Sequence, residues 1–378
     1  YETGMIAAGA LMQYLYETQK STMPHITSIH PYSTGRYMII DTSTRRNLEL
    51  TETLREKQKK GTLLWVFDKT KTAMGARLLR TYIEQPLIDK AAILERQDAI
   101  EELCEQYINR EELREYLNPI YDLERLMGRI SYNTANPRDL IAFKSSLAML
   151  PHIKQALAGF RSELLKGIYE NMDTLDDLYQ LIEDAIIEEP PITIREGGII
   201  KEGFNDDVDQ FRKSKTEGKT WLSDLEIRER ERTGIKTLKV KYNKIFGYCL
   251  EVTNSFKDKV PPDYTRRQTL VNAERYTTQE LKNLEDMIMG AEDKLYALEY
   301  ELFCAVRDTI AGEVLRIQKS AKAVAQLDVL ASLAAVAQRN QYVKPKINEK
   351  GSIQIKNGRH PVVELMIPNN MFVANDLY

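Results

Sequence analysis

The sequence predicts a mainly α-helical fold: a discontinuous helical core with two long helices and a small, basic, β-rich segment inserted between them. Two observations indicate this fold class. Long runs with helical apolar spacing flank a central segment, and that segment alternates apolar and polar residues in short stretches. From Gly234 to Arg275 it carries nine Lys and Arg against four Asp and Glu, a local charge of +5 in a chain of net charge −3. We therefore expect the insert to contact a polyanion.

Helical patterns account for most of the chain before the insert. Met5 to Gln19 is typical of an amphipathic helix, Tyr37 to Ile40 of a short apolar strand, and Asp41 to Leu50 of a further helix. Prolines divide the next part into a compact bundle. Its predicted helices cover residues 77–83, 91–107, 111–117, 140–150 and 175–187.

The run from Phe204 to Arg232 predicts the first long helix. Its apolar residues lie on one side: Val208, Phe211, Trp221, Leu222 and Leu225. The charge run Arg228 to Arg232 indicates a solvated helical face, and Gly234 favours the end of the helix. Gly218-Lys219-Thr220 resembles part of a phosphate-binding loop, but Lys213 stands where that loop needs a glycine. The segment is therefore not expected to bind a nucleotide.

The second long helix is predicted from apolar residues at alternating steps of three and four. These are Leu281, Leu284, Ile288, Ala291, Leu295, Leu298, Leu302 and Ala305. Thr277 followed by Glu280 has capping-box spacing at its start, and Gly312 breaks the pattern. A helix of that length spans roughly 50 Å and should pack on a partner helix. Beyond it, Ala321 to Gln338 predicts a small-residue helix and Ser352 to Ile355 a strand.

Two strands, Thr237 to Tyr242 and Tyr248 to Val252, are predicted inside the insert, joined by a hairpin loop from Asn243 to Gly247. The insert has few aromatic residues to stack on bases, so its charge favours phosphate contacts over base reading. Two alternatives stay open at this point. The hairpin could be merely solvated, or the chain could be a structural or protein-interaction coiled-coil module whose basic tip contacts an acidic protein surface.

Composition argues against several other classes. No apolar stretch approaches the roughly 20 residues that span a bilayer, and no signal-peptide pattern is present, so we expect no membrane partner. Three separated cysteines without CxxC spacing predict neither a disulfide framework nor a zinc site, and they favour a reducing, cytoplasmic compartment. Four dispersed histidines predict no metal site. We therefore expect no catalytic residues and no cofactor in this chain.

Five segments together resemble the MutS family of DNA mismatch-repair proteins across essentially the whole chain. They are Trp65 to Leu79, Gly234 to Tyr248, Arg266 to Leu270, Asn272 to Tyr276 and Gly358 to Glu364. The resemblance implies the end of a connector domain at 1–24, a core and lever domain at 25–233 and 290–345, a clamp at 234–289, and the start of an ATPase domain at 346–378.

The resemblance also implies a function and partners. In this family the clamp touches the backbone of double-stranded DNA without reading sequence, the dimer encircles DNA, and the levers transmit nucleotide state. A second subunit, a MutL-type partner, ATP with Mg²⁺, and a cytoplasmic, nucleoid-associated location would belong to the whole protein. The chain starts without Met, so we expect it to be a segment of a longer protein. The mismatch-reading domain and the P-loop should lie outside it, which would leave this segment without enzymatic activity.

Site residues follow from the resemblance, residue by residue. The positions that match the clamp motif are expected to bind DNA, with one residue added on charge alone. The motif positions are Arg266, Arg267, Gln268, Thr269 and Asn272, and the added residue is Lys244. Val271 stands where many bacterial members have a lysine. A phosphate contact could therefore be missing there, or be supplied by Lys244, Lys257 or Lys259 instead. Arg275 either contacts phosphate or pairs with Glu280 or another helix carboxylate.

Overall fold

The computed structural model describes residues 2–19, 26, 29, 34–194, 197–243, 245–368 and 371–378. The chain divides into two compact units. Unit 1 comprises Tyr1–Ala135, Asp139–Ile182 and Arg307–Tyr378, and unit 2 comprises Asn136–Arg138 and Glu183–Val306. The domain boundaries implied by the resemblance stay predictions.

Most of the described residues are helical, as predicted. The helices are α1 Glu2–Gln19, α2 Thr42–Asn47, α3 Leu63–Phe67, α4 Ala73–Glu84, α5 Lys90–Glu105, α6 Tyr107–Leu117, α7 Leu123–Ser131, α8 Pro137–Leu147, α9 Leu150–Leu157, α10 Glu163–Asn171, α11 Asp176–Ala185, α12 Asp206–Thr233, α13 Gln279–Gly312, α14 Val314–Arg339 and α15 Val363–Met366. The strands are β1 Lys239–Asn243, β2 Gly247–Thr253, β3 Thr265–Thr269, β4 Ala273–Thr277, β5 Ile355–Gly358 and β6 Asn375–Leu377.

Helix α14 is the central element of unit 1 and packs against α4, α5, α7 and α10. Its alanines and serines allow these helices to approach closely. The carboxylate of Asp328, which is fully buried, accepts hydrogen bonds from the backbone N–H groups of Lys71 and Thr72 and from the Thr72 hydroxyl. Ser332 accepts from the Lys69 N–H and donates to the Phe67 carbonyl. The loop before α4 is therefore fixed by side chains of α14.

Helix α14 is also, among the described residues, the one helix long and apolar enough to cross a membrane. Of its most apolar window, 72% is buried inside the structure. Burial of this kind is typical of a core helix, so the length and hydropathy of α14 are weak evidence for a membrane span.

Three sequence predictions in the first 50 residues need correction or qualification. The predicted strand at 37–40 is wrong, because Tyr37 makes only an isolated bridge to Leu87 and Ile39 is 87% exposed. Helix α1 is confirmed, but none of its residues is buried. The predicted helix at 41–50 is shorter, and the Asp41 carboxylate caps it by accepting the Thr44 N–H.

The sheet of unit 2, called here the inserted sheet, consists of β1 to β4 in the order β1-β2-β4-β3, with every neighbouring pair antiparallel. One face packs on α12 and α13. The apolar residues of this core are Leu222, Leu225, Ile235, Leu238, Leu250, Val252, Tyr264, Tyr276, Leu281 and Ile288. Trp221, predicted on the apolar side of α12, is instead 39% exposed. The predicted β-rich insert between two long helices is confirmed.

The two long helices, α12 and α13, meet inside unit 2 along a seam of apolar residues and ion pairs. Gly218 is buried against Ile288, and the Lys215 ammonium lies 2.6 Å from the Glu292 carboxylate. Further along, Arg212 pairs with Glu299, which is fully buried. These contacts join the helices between the inserted sheet and the far end of α12.

The sequence predicted the end of α12, the N-terminal cap of α13 and the apolar face of α13. Gly234 ends α12 with φ +65°, as predicted. The cap of α13 is Thr278, whose hydroxyl accepts the Leu281 N–H, and not the predicted Thr277, which is paired in β4. Ala305 is exposed while residues 303 and 306 are buried. A straight helix of 3.6 residues per turn drifts away from a repeat of 3.5, which explains the change of face.

Candidate nucleic-acid interface

The inserted sheet places its charged residues in rows that the strand register defines. Lys239, Glu251, Arg275 and Gln268 lie side by side across β1, β2, β4 and β3. Their neighbours Val240, Leu250 and Tyr276 form a second row, and this row belongs to the apolar core. Because alternate residues of a strand point to opposite faces, the charged row lies on the face away from the core.

Arg275 is a structural residue of this outer row. Its guanidinium contacts the Glu251 carboxylate at 3.1 Å and the Gln268 amide oxygen at 2.9 Å. Burial raises the pKa of Glu251, but hydrogen bonds from Lys241 and Arg275 outweigh burial and hold that pKa below its ordinary value. Of the two alternatives for Arg275, these contacts favour the structural one. Its partner Glu251 lies in β2, so both suggested partners, Glu280 and a long-helix carboxylate, are wrong. Glu280 binds Arg228 instead.

Strand β3 carries most of the sequence-predicted site. Arg266 is 60% exposed in its side chain and lies 3.5 Å from the Glu274 carboxylate. A β-bulge falls between Arg266 and Gln268, so Arg267 is the extra residue of the strand. Arg267 is exposed and makes no hydrogen bond or ion pair with the described residues. Thr269, at the end of the strand, is exposed as well.

Glu274 is an anionic group at the centre of this region. It is 3% exposed and accepts contacts from Lys257 at 2.8 Å, from Arg266 and from the Tyr276 hydroxyl. Hydrogen bonding from Lys257 holds the pKa of Glu274 below its ordinary value. Burial, followed by the hydrogen bond to Glu274, raises the pKa of Tyr276 to about 12. Arg266 and Lys257 are thus partly neutralised.

Asn272 is the predicted motif residue that lies beyond the end of β3. Asn272 lies in the turn between β3 and β4, where its carbonyl accepts the Asn254 N–H. The β1–β2 hairpin turn, flanked by Asn243 and Gly247, lies at the opposite end of β2, which is roughly 20 Å long at 3.3 Å per residue. Lys244, predicted in that hairpin turn, lies outside the described residues.

The structure adds cations that motif matching did not select. Lys236 and Lys239 are exposed, and neither has an ion-pair partner within the described part of the chain. Lys259 lies over the Phe256 ring at 5.7 Å. Lys236, Lys239 and Arg267 are called the unpaired cations below. In the sequence, Lys236 and Lys239 were indicated only by the local charge excess, whereas Arg267 also matched the family motif.

Val271 is 91% exposed at the tip of the β3–β4 turn. The Val271 carbonyl accepts a hydrogen bond from the Asn254 side-chain amide at 3.0 Å, so the backbone of the turn is anchored. An apolar side chain at this tip offers no charge to a phosphate. The effect of Val271 on binding stays a prediction.

The charge run at the end of α12 is only in part the solvated face that was predicted. Arg228 is exposed, as expected of a solvated face, but Glu229 is only 6% exposed. Its carboxylate accepts the Tyr264 hydroxyl at 2.7 Å and the Arg232 guanidinium at 2.8 Å. The alternating charges of this run did not indicate that Glu229 would be buried and bonded to Tyr264, which lies 35 residues later in the sequence.

Carboxylates of the long helices also reach the hairpin. Glu285 of α13 lies against the hairpin, because a Cβ at Gly247 would come within 1.7 Å of the Glu285 carboxylate oxygen. Gly247 also has φ +71°, a conformation that favours glycine. Over the described residues, no group of three or more His, Cys, Asp or Glu side chains is arranged to hold a metal ion.

The fold and this surface define a class: a mainly helical scaffold that presents a small basic sheet at one end of two paired helices. The family description "MutS domain III" matches residues 43–334. A DNA mismatch repair protein MutS from Lachnoclostridium phytofermentans is 66% identical over 378 residues, covering 100% of this chain and 41% of that protein. The chain belongs to the MutS family.

Two further relatives carry the same name. The protein from Acetivibrio thermocellus is 50% identical over 98% of this chain and 43% of its own length. The protein from Ruminiclostridium cellulolyticum is 52% identical over 100% of this chain and 43% of its own length. The chain thus spans about two-fifths of the length of the relatives it matches.

Proposed function

We propose that this chain is the core, lever and clamp region of a DNA mismatch-repair protein, and that the inserted sheet grips the backbone of duplex DNA. The observation that carries the proposal is the set of unpaired cations on a sheet held at the end of two long helices. Phosphate contacts supply affinity that does not depend on sequence, and unpaired Lys and Arg side chains can make them without first breaking an ion pair.

Within this proposal the residues have graded roles. The unpaired cations make the first contacts, and Arg266 and Lys257 contribute less because each shares Glu274. Gln268 and Arg275 hold the sheet together, while Thr269 and Asn272 can donate hydrogen bonds to phosphate oxygens from exposed positions. Lys244 is kept as a phosphate ligand on its charge alone.

The whole protein's activity follows as a further proposal from the family. It would bind ATP and Mg²⁺ in the ATPase domain that starts at residue 346 by the resemblance, pair with a second copy of itself, and work with a MutL-type partner in the cytoplasm, at the nucleoid. The helix pair of α12 and α13 would then relay nucleotide state to the inserted sheet. This segment alone is proposed to have no ATPase activity.

A second candidate is a structural or protein-interaction module whose basic sheet meets an acidic protein surface. The seam between α12 and α13 favours it, because paired helices of this kind also serve as scaffolds. This candidate predicts binding that weakens less with salt than binding to DNA does, because a duplex presents a much denser line of charge than a protein surface.

The test is fluorescence anisotropy of a labelled duplex, matched or carrying one mismatch, titrated with the chain across a salt series. Equal affinity for both duplexes and a steep fall with salt are expected. Each phosphate ligand that is removed should flatten the slope by about 0.9. The variant Lys244→Ala/Arg266→Ala/Arg267→Ala tests the motif-derived residues, and Arg275→Gln serves as a control for the structural arginine.

Absence of binding at low salt would contradict the clamp proposal, and so would a triple variant that binds with the parent's affinity and slope. A clear preference for the mismatched duplex would contradict backbone recognition. Phosphate release from ATP by the purified chain, above a heat-treated sample, would contradict the proposal that this segment has no enzymatic activity.

A further inference from the structure

The buried carboxylate at the end of α12 belongs to a closed network that includes the residues just before β3. Glu229 accepts the Tyr264 hydroxyl at 2.7 Å and Arg232 at 2.8 Å. Arg232 also binds the Asp263 carboxylate at 2.9 Å and lies over the Tyr264 ring at 5.7 Å. Glu229, Arg232, Asp263 and Tyr264 are called the Glu229 network below. It joins the last turn of α12 to the entrance of β3.

Strand β3 needs such an attachment because it is an edge strand. It bonds to β4 alone, and its sequence Thr-Arg-Arg-Gln-Thr contains no apolar residue to anchor it in the core. Tyr264, one residue before the strand, is 7% exposed and packs on the Tyr276 ring at 5.9 Å. The first firm contact between this edge of the sheet and α12 is therefore Tyr264, and Arg266 and Arg267 follow two and three residues later.

The chemistry of the network makes it act as a unit. A buried carboxylate is costly unless it is paired and hydrogen-bonded, so Glu229 needs both of its partners. Burial, and next the hydrogen bond to Glu229, raise the pKa of Tyr264, so the phenol stays a donor at neutral pH. Removal of Glu229 leaves the Tyr264 hydroxyl without its acceptor in a covered site, and removal of that hydroxyl leaves the buried carboxylate with Arg232 alone.

The opposite edge of the sheet is attached to the same helix in an analogous way. Glu226 accepts the Val240 N–H of edge strand β1 at 2.7 Å, and Arg230 donates to the Leu238 carbonyl at 2.6 Å. Together these two side chains, one turn apart, supply an acceptor and a donor where a neighbouring strand would have supplied them. Both edges of the inserted sheet are thus bonded to the last two turns of α12.

We propose that Glu229 and Tyr264 are positioning residues, which hold β3 and its two arginines in a fixed place relative to α12 so that they meet a duplex already ordered. The DNA part of this inference rests on the proposed function. Preorganised groups bind more tightly because they lose little conformational entropy on binding. The end of α12 would therefore affect DNA affinity without touching DNA.

The attachment itself is tested without DNA, by hydrogen exchange of the 378-residue chain resolved to peptides. Tyr264→Phe removes one hydroxyl, and Glu229→Gln removes one charge. Each should speed exchange at residues 265–277 by about tenfold to a hundredfold, the range expected when a hydrogen bond to a charged group is removed. The matched controls are Tyr242→Phe, a half-exposed tyrosine of β1, and Glu231→Gln, an exposed glutamate of α12.

The positioning role would be overturned if Tyr264→Phe exchanged at residues 265–277 at a rate within about twofold of the controls. This milder variant decides the matter even where Glu229→Gln fails to fold. A uniform acceleration over the whole chain would also overturn it, because a general fall in stability does not single out one edge of the sheet.

The consequence for binding is measured with the same labelled duplex. Tyr264→Phe should lower affinity several-fold while the salt slope stays unchanged, because no phosphate ligand has been removed. An Arg267→Ala variant should instead flatten the slope. Unchanged affinity in Tyr264→Phe, with the parent binding normally, would overturn the link to DNA. A parent chain that does not bind refutes the proposed function, and hydrogen exchange then still decides the attachment of β3.

Discussion

A close approach between α12 and α13 allows a sharp test of how the two long helices are joined. Gly218 lies at this point, and a Cβ built on it would come within 2.5 Å of the Ile288 Cγ1 atom and 3.1 Å of its Cδ1 atom. Ile288 is 2% exposed and β-branched, so its side chain cannot move away by a simple rotamer change. Gly218→Ala must therefore separate the helices or strain Ile288.

Two opposing terms set the size of the effect. Alanine is better than glycine inside a helix by about 1 kcal/mol, whereas an extra methyl in a packed core costs about 1–3 kcal/mol. The net change for Gly218→Ala is a decrease in stability of up to about 2 kcal/mol. Gly290, in the interior of α13, has nothing within 4 Å of its built Cβ. Gly290→Ala should therefore stabilise the protein by about 0.5–1 kcal/mol.

The assay is urea unfolding followed by the fluorescence of Trp221 in a Trp65→Phe background, since the chain has two tryptophans. We expect Gly218→Ala to be less stable than Gly290→Ala by about 1–3 kcal/mol. The double variant Gly218→Ala/Ile288→Ala removes the Ile288 atoms that obstruct the new methyl group. Gly218→Ala should therefore lower the stability less in the Ile288→Ala background than in the parent, so the two effects are not additive. Equal stabilisation by both single variants would refute the close packing of the helices at Gly218.

Three other predictions concern single residues. In thermal unfolding, Gly247→Ala should lower the stability more than Gly234→Ala, because both glycines have positive φ but only a Cβ at Gly247 would clash. Adding Glu285→Ala to Gly247→Ala removes the clashing carboxylate and should restore part of the lost stability. Asp328→Ala should destabilise unit 1 by about 3 kcal/mol or more in urea, because it leaves buried donors unpaired. Glu251→Gln should lower stability at pH 7. The stabilising effect of the Glu251 carboxylate is fully present above pH 4.5 and disappears as the pH falls through its lower folded pKa. The difference in stability between parent and variant should therefore narrow in urea unfolding as the pH is lowered below 4.5.

Much of the helix pair could be predicted from local sequence. The spacing from Leu281 onward predicted α13, and Gly234 predicted the end of α12, because helix periodicity and a left-handed cap are local properties. The cap of α13 was misplaced by one residue. Two threonines stand next to each other there, and pairing of Thr277 with Thr265 in the sheet decides between them.

The site was harder to predict because it depends on contacts between distant residues. Strand β3 has no apolar alternation, and only its pairing with β4 makes it a strand. The burial of Glu229 depends on Tyr264, and the partners of Arg275 come from two other strands. Charge counting detected a basic insert, but only the register shows which cations are neutralised. The family motif selected Asn272, and only the structure shows that it lies in the turn between β3 and β4, where its carbonyl accepts the Asn254 N–H.

The most direct test of the central claim compares two charge-matched variants in the anisotropy salt series. One is Lys236→Ala/Lys239→Ala/Arg267→Ala, which removes the unpaired cations. The other is Lys60→Ala/Lys319→Ala/Lys322→Ala, which removes three exposed lysines of unit 1. The clamp account predicts weaker binding and a salt slope smaller by about 2–3 in the first variant only. Equal decreases in both variants would contradict it, because binding would then follow net charge and not the inserted sheet.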